Sequence, residues 1–329
     1  MYEPSRRSRN RFIFAGIASD NRGFMADISG LRVVVTGGAG FIGSNLVERL
    51  CGSNKVDVVD NMNTGSVLNL KESMKKGNVR LFRKDAKDVH RLGLKPDVIF
   101  HLGMYSSSPM YKKNPRLVGE VVSGAVSVME LAKASEAKVV IASTSSLYNG
   151  IRPPHREEML PPVSDYYTEA RYSVERVAEL YSRLHGVDAN AMRFFSVYGY
   201  HEEAKKEYAN LVSQFIWKMR KGERPVIFGD GKQRRDFVFV TDVVDALIRA
   251  YERADGFGVF NVGTGKNYSL NETVKLINNE LGSGIKPKYV KIPVKNYVME
   301  TLASTDKSRR MLGFRAKVDL KKGIHLISS

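Results

Sequence analysis

Three glycines at spacing i, i+3 and i+6 stand between a strand-forming run and a helix pattern. The stretch is Arg32-Val33-Val34-Val35-Thr36-Gly37-Gly38-Ala39-Gly40-Phe41-Ile42-Gly43, followed by Ser44-Asn45-Leu46-Val47-Glu48-Arg49-Leu50. No other feature limits the possible folds as much. Gly37 allows a tight turn, Gly40 lets backbone approach a pyrophosphate, and Gly43 lets the helix lie close on the strand. The free N–H groups and the positive end of the helix then face phosphate charge. This is the strand–turn–helix opening of a dinucleotide-binding unit, with Phe41 and Ile42 at the helix start beside the phosphates.

The next strand pattern, Lys55-Val56-Asp57-Val58-Val59, ends at Asp60, 23 residues after Gly37. A carboxylate in that place accepts hydrogen bonds from adenosine ribose hydroxyls and repels a 2′-phosphate, so the cofactor expected is NAD and not NADP. Arg32 and Lys55 lie at strand starts, at the opposite end of the sheet.

A chain of 329 residues is long enough for one large core or two lobes sharing a cleft. The single cysteine, Cys51, excludes an internal disulfide framework and fits a reducing compartment such as the cytoplasm. No apolar run approaches a membrane span, and no metal site is expected. The net charge of +17 is scattered without aromatic–basic interleaving, so a basic surface ranks ahead of nucleic-acid binding. Residues 1–30 read as an unstructured extension. Arg6, Arg7, Arg9 and Arg11 precede an apolar patch too short for a signal core, and Met25 offers a natural start.

Along the chain, Asn61 to Gly65 reads as a loop over the adenosine. Val79 to Phe82 is a short strand leading to Asp85, placed for the adenine edge, with Ala86 beside it. Asp97 to Leu102 is a buried strand, and Gly103 to Ser108 after it passes close to the dinucleotide. Val118 to Ala134 is helical, Lys138 to Thr144 is a strand, Tyr167 to His185 is a long amphipathic helix, and Ala189 to Phe195 returns as a strand. The rhythm predicts right-handed crossovers and a parallel sheet, with ligands at the carboxyl ends of the strands. The pattern changes near Ser196. Glu207 to Lys221 reads as a helix, Val226 to Gly231 as strand and turn, and Arg234 to Val240 as a strand before a helix from Asp242 to Arg253. Phe260 to Gly263 and a Leu270–Leu281 helix complete a smaller lobe. The expected division is a dinucleotide-binding domain over 31–195, to which 237–260 return, and a substrate-binding lobe over most of 196–329, with the cleft between them.

These residues resemble the extended short-chain dehydrogenase/reductase family, in its nucleotide-sugar epimerase/dehydratase branch. The matching pieces are TGGAGFIG at 36–43, Asp60-Asn61, Asp85, His101-Leu102, ASTSSLYNG at 142–150, RFFSVYG at 193–199, GDGKQRRDFVFVTDV at 229–243 and FNVGTG at 260–265. The likeness spans residues 31 to about 325. It implies an α/β fold, a Rossmann-type doubly wound parallel sheet with a smaller C-terminal lobe, and commonly a homodimer.

The resemblance also implies a tyrosine base, a lysine four residues on, and a Ser/Thr hydroxyl. That spacing places the first two on one helix face. Tyr167 takes the tyrosine position, Arg171 stands where the family has lysine, and Thr144 matches the hydroxyl. Arg171 supplies the charge, but its planar fork is not equivalent to an ammonium. Restoring the family pattern with Arg171→Lys is expected to retain or raise activity. Two further departures are Val121 and Ser196, each at a family asparagine. Arg235 resembles the diphosphate-binding arginine, Asn210 the residue beside it, and Val226 to Phe228 the segment that reads uracil.

Dehydratases of the branch carry Asp-Glu directly after the threonine, and the decarboxylases usually a glutamate. Ser145 and Ser146 occupy those places here. Elimination then lacks its acid and base, whereas epimerisation at C4 needs only Tyr167, Thr144 and a dinucleotide that is regenerated each cycle. The resemblance therefore implies a 4-epimerase of a UDP-hexose. The alternatives are another enzyme of the branch, such as a reductase or a different epimerase, and a non-catalytic NAD-binding protein.

Overall fold

The computed structural model describes residues 28–292 and 297–329, so the extension expected over 1–30 lies almost wholly outside the described residues. The first half alternates β1 (Arg32–Thr36), α1 (Phe41–Leu50), β2 (Lys55–Val59), α2 (Lys71–Lys75), β3 (Val79–Phe82) and β4 (Val98–His101). It continues through α3 (Ser108–Lys113), α4 (Leu117–Ser135), β5 (Lys138–Thr144), α5 (Tyr166–His185) and β6 (Ala189–Phe194). Then come β7 (Ser196–Tyr198), α6 (Leu211–Met219), β8 (Val226–Phe228), β9 (Arg234–Arg235), β10 (Phe237–Phe239) and α7 (Val240–Arg253). The last elements are β11 (Phe257–Val262), β12 (Tyr268–Ser269), α8 (Leu270–Leu281), β13 (Lys288–Val290) and α9 (Leu320–Ser328).

Seven strands form one parallel sheet in the order β11-β6-β5-β4-β1-β2-β3. The chain runs outward from β1 through β2 to β3, then crosses back to β4 and proceeds the other way. The strand order therefore reverses between β1 and β4, and a crevice opens beyond their carboxyl ends. Both faces are covered, so β1 carries three consecutive apolar residues, Val33 to Val35, instead of alternating. Val33 and Val35 pack with Leu46, Leu50 and α7, while Val34 packs on the opposite face with Val121, Val128 and Val174 of α4 and α5. Leu46 and Leu50 are fully buried, each contributing about 1.5–3 kcal/mol by removal from water.

The remaining strands form three two-stranded sheets, β10 with β7, β12 with β9 and β13 with β8. They pack with α6, α8 and α9 around a separate cluster that includes Phe215, Ile216, Phe237, Leu270 and Ile324.

Three expectations need correction. Phe260 to Val262, assigned by pattern to the smaller lobe, belong to β11, the edge strand of the large sheet, which pairs along β6 from Ala189 to Phe194. The helix expected over 207–221 spans only Leu211–Met219. Its start is fixed by Asn210, whose Oδ1 accepts from Val212 N at 3.0 Å, and Lys206 breaks the preceding turn with φ 49°. The strand expected over 234–240 is interrupted at Asp236, whose buried carboxylate accepts from the N–H groups of Thr264, Gly265 and Ala303.

Candidate active site

The glycine turn is built as its spacing predicts. Gly37 has φ +70°, and a Cβ there would stand 2.7 Å from Gly103 Cα, where the turn crosses the loop after β4. A Cβ on Gly43 would lie 2.1 Å from Gly37 O, so only glycine lets α1 come so close. Gly40 differs. An added Cβ meets only Gly37 O, at 3.2 Å, a tight contact but far milder than the one at Gly43. α1 begins with no side-chain cap and no acid in its first turn, which leaves its N–H groups and dipole to an anion.

Asp60 follows β2 and is buried. Its Oδ2 accepts from Ala39 N at 3.0 Å and its Oδ1 from Met62 N at 2.7 Å. Burial raises its pKa above the ordinary aspartate value, against the pull of these backbone donors. Asn61 Nδ2 donates to Asp85 Oδ2 at 2.8 Å, tying the ends of β2 and β3 together.

α5 carries the other half of the site. Asp165 caps it, accepting from Thr168 N at 2.8 Å, so the helix starts at Tyr166, one residue before the expected start. Tyr166 is 53 % exposed, whereas Tyr167 lines the cleft. One turn later Arg171 is buried, with Cζ 5.1 Å from the Tyr167 ring centroid. Its Nη2 donates to Tyr105 O at 2.7 Å, and its Nη1 is buried without a hydrogen-bond partner. Thr144 ends β5, and its Oγ1 accepts from Ser146 N at 3.1 Å. His101, at the end of β4, is buried with Nδ1 2.7 Å from Thr36 Oγ1. Gly103 N donates to that same hydroxyl at 3.1 Å, and His101 Nε2 is buried without a hydrogen-bond partner. Burial, reinforced by Arg171, lowers the His101 pKa to about 3.

A buried polar chain supports this floor. Ser143 Oγ donates to Glu175 Oε1 at 2.5 Å, and Glu175 pairs with Arg193 at 2.7 Å with both side chains 3 % exposed. Arg193 Nη1 donates to Tyr148 OH at 2.8 Å, which donates to Asn261 Oδ1 at 2.8 Å.

Gly37, Gly40, Phe41, Ile42, Gly43, Asp60, Asn61, Asp85, Ala86, Leu102, Thr144, Tyr167, Arg171 and Asn210 line one cleft of about 310 Å³. Four expected residues are not among its lining. Ser196 lies between Phe195 and Val197, which are. Val226 and Phe228 belong to β8 beside β13. Arg235 Nη1 donates to Arg234 O at 2.8 Å, its Nη2 donates to Val298 O, and its Cζ stands 5.7 Å from the Tyr297 ring. Sequence reasoning missed Tyr105, Lys205 and Tyr208, which also line the cleft. Tyr105 lay inside a run read for its glycine and serines, and nothing in the pattern around Lys205 points inward.

The model of the NAD dependent epimerase/dehydratase family matches residues 33–263. This chain belongs to that family. It is 33% identical over 299 residues to a putative UDP-glucose 4-epimerase of Methanocaldococcus jannaschii, covering 89% of this chain and 95% of that one. It is 31% identical over 306 residues to UDP-glucuronic acid decarboxylase 2 of Arabidopsis thaliana, covering 91% and 67% respectively. Among solved structures, UDP-glucose 4-epimerase of Thermotoga maritima with UDP-glucose superposes with a TM-score of 0.84 at 32% identity, covering 90% of this chain and 96% of that chain.

Members of this family use NAD, and the cleft fits it. The uncapped start of α1, Gly40 and Arg171, whose Nη1 is buried without a hydrogen-bond partner, all border this cleft. No helix among the described residues is long and apolar enough to cross a membrane.

Proposed function

We propose that this chain is a nucleotide-sugar 4-epimerase acting on a UDP-hexose of the UDP-glucose/UDP-galactose type. When bound, NAD would supply the hydride acceptor for sugar C4 and, once reduced, the hydride donor that closes the same cycle. Tyr167 takes the C4 hydroxyl proton and later gives it back, with the Arg171 guanidinium lying over its ring. The Thr144 hydroxyl holds the C4 oxygen in line. Of the residues that the resemblance gives to the substrate, Asn210 lines the cleft, whereas Ser196, Val226, Phe228 and Arg235 lie outside its lining.

One observation carries the choice of reaction. Among the described residues, no carboxylate stands beside Thr144 and Tyr167 in the cleft lining; Ser145 and Ser146 follow the threonine. The carboxylates that do line the cleft belong to the adenosine side, with Asp85 on Asn61, Asp60 on Ala39 and Glu120 paired to Lys87 at 2.6 Å. Glu175 is committed to Arg193. Elimination or decarboxylation assisted by an acid–base pair finds no such pair here, and that supports epimerisation.

Tyr167→Phe tests the reading. It removes the proton acceptor at little change in volume, so turnover of UDP-galactose should fall by about 10²- to 10⁴-fold while NAD still binds. The exposed Tyr166→Phe should change turnover less than about threefold. Loss of turnover in Tyr166→Phe alone would shift the base by one residue and sink the assignment.

A further inference from the structure

Tyr105 sits in the loop after β4, outside any helix or strand. Its carbonyl accepts two hydrogen bonds, from Arg171 Nη2 at 2.7 Å and from Tyr111 OH at 3.1 Å. Tyr111, on α3, is fully buried. Burial raises its pKa to about 12, so it stays a hydroxyl donor at any pH where the site works. Its ring meets Tyr167 edge-on, 5.6 Å between centroids at 62°, and Tyr105 at 6.4 Å and 89°. Arg171 closes the circuit by lying over Tyr167, 5.1 Å from its centroid.

We propose that Tyr111 is a positioning residue for the Tyr167–Arg171 pair, holding through the Tyr105 carbonyl one arm of the guanidinium and so its place over the Tyr167 ring. The loop carbonyl has no strand or helix to hold it, and Tyr111 supplies that hold. The arrangement suits a guanidinium in particular. A lysine nitrogen would sit near the place of Arg171 Cζ, one covalent bond short of Nη2. It could not reach Tyr105 O and keep its station over Tyr167. This reverses the expectation from sequence that Arg171→Lys retains or raises activity. The bracket of Tyr105 and Tyr111 makes arginine the fitting residue here, and lysine should lose part of the effect.

The inference rests on Tyr167 being the base, but its test needs no sugar. The titratable and charged groups around the pair are Tyr105, Tyr111, Asp165, His101 and, acting on His101 and Tyr105, Asp85. With saturating NAD, the tyrosinate absorbance of Tyr167 is isolated by subtracting the titration of a Tyr167→Phe twin. Tyr111→Phe should move the midpoint to higher pH by roughly 0.5 to 1, since the cation is held less well. In an Arg171→Lys background, where the bracket is already lost, the same change should move it by less than roughly 0.2. Equal movement in both backgrounds, or none in either, overturns the proposal and leaves Tyr167 as the base. Failure to turn over UDP-galactose would count against the sugar assignment and leave this result standing.

Discussion

The Asp60 carboxylate is bonded to the backbone of the glycine turn, with Ala39 N donating to Oδ2 at 3.0 Å. The residue proposed to choose between NAD and NADP therefore also holds the glycine turn. Asp60→Ala should lower NAD affinity by tenfold or more, at about 1.4 kcal/mol per tenfold, and relax discrimination against NADP. It should also lower unfolding free energy by about 1–3 kcal/mol, since Ala39 N and Met62 N lose their acceptor. Calorimetric titration with both nucleotides and urea unfolding measure the two effects. Equal affinity of the unaltered protein for NAD and NADP would refute the role.

Gly40 and Gly43 separate binding from folding. Gly43→Ala forces a Cβ to 2.1 Å from Gly37 O, so it should destabilise by more than about 2 kcal/mol or prevent folding. Gly40→Ala meets only Gly37 O at 3.2 Å, so the melting temperature should hold within a few degrees while NAD affinity collapses. A reversed pattern would show that the diphosphate is not held at Gly40.

His101 makes an acid-sensitive contribution. Its pKa is depressed to about 3 in the folded protein, against about 6.5 for an exposed histidine. Between these values the unfolded chain binds the extra proton. The contribution is therefore fully present above pH 6.5 and is lost as pH falls, by roughly 2 kcal/mol from pH 6.5 to pH 5. Urea unfolding at pH 7 and pH 5 should show this loss, and His101→Gln should remove that part of it. An unchanged pH difference in the variant would contradict the assignment.

Glu175 anchors the floor of the site. Glu175→Ala strands Arg193 in the core, so a cost of about 3–5 kcal/mol is expected, together with weaker turnover because Ser143 next to Thr144 loses its partner. A chemical-denaturation midpoint close to that of the unaltered protein would show that the pair is not holding this floor.

What could be read from sequence follows the strength of local constraint. Val33 to Gly43 carries strand formers, the glycine spacing and an amphipathic helix together, and the turn, its three glycines and Asp60 fall where the pattern put them. The spacing of Tyr167 and Arg171 places them in contact for the same reason, since helix geometry leaves one answer. What escaped was set by distant partners. β11 is placed by pairing with β6, not by its own pattern. The bracket on Arg171 uses a loop carbonyl at Tyr105 and a hydroxyl on α3, which no periodicity marks. Lys205 lies over the Phe41 ring at 5.3 Å while paired to the fully buried Glu202, a geometry created by the turn at Lys206. Arg235, matched by motif, is turned to Val298 and Tyr297 because burial leaves those groups as its partners.

The central claim is tested most directly by incubating the purified protein with UDP-galactose and separating the nucleotide sugars over time. The account predicts a mixture of UDP-galactose and UDP-glucose approached from either side, with no net NADH accumulating, and no conversion by Tyr167→Phe. A product other than the C4 epimer, cofactor consumed in proportion to sugar, or no conversion by protein that binds NAD would contradict it.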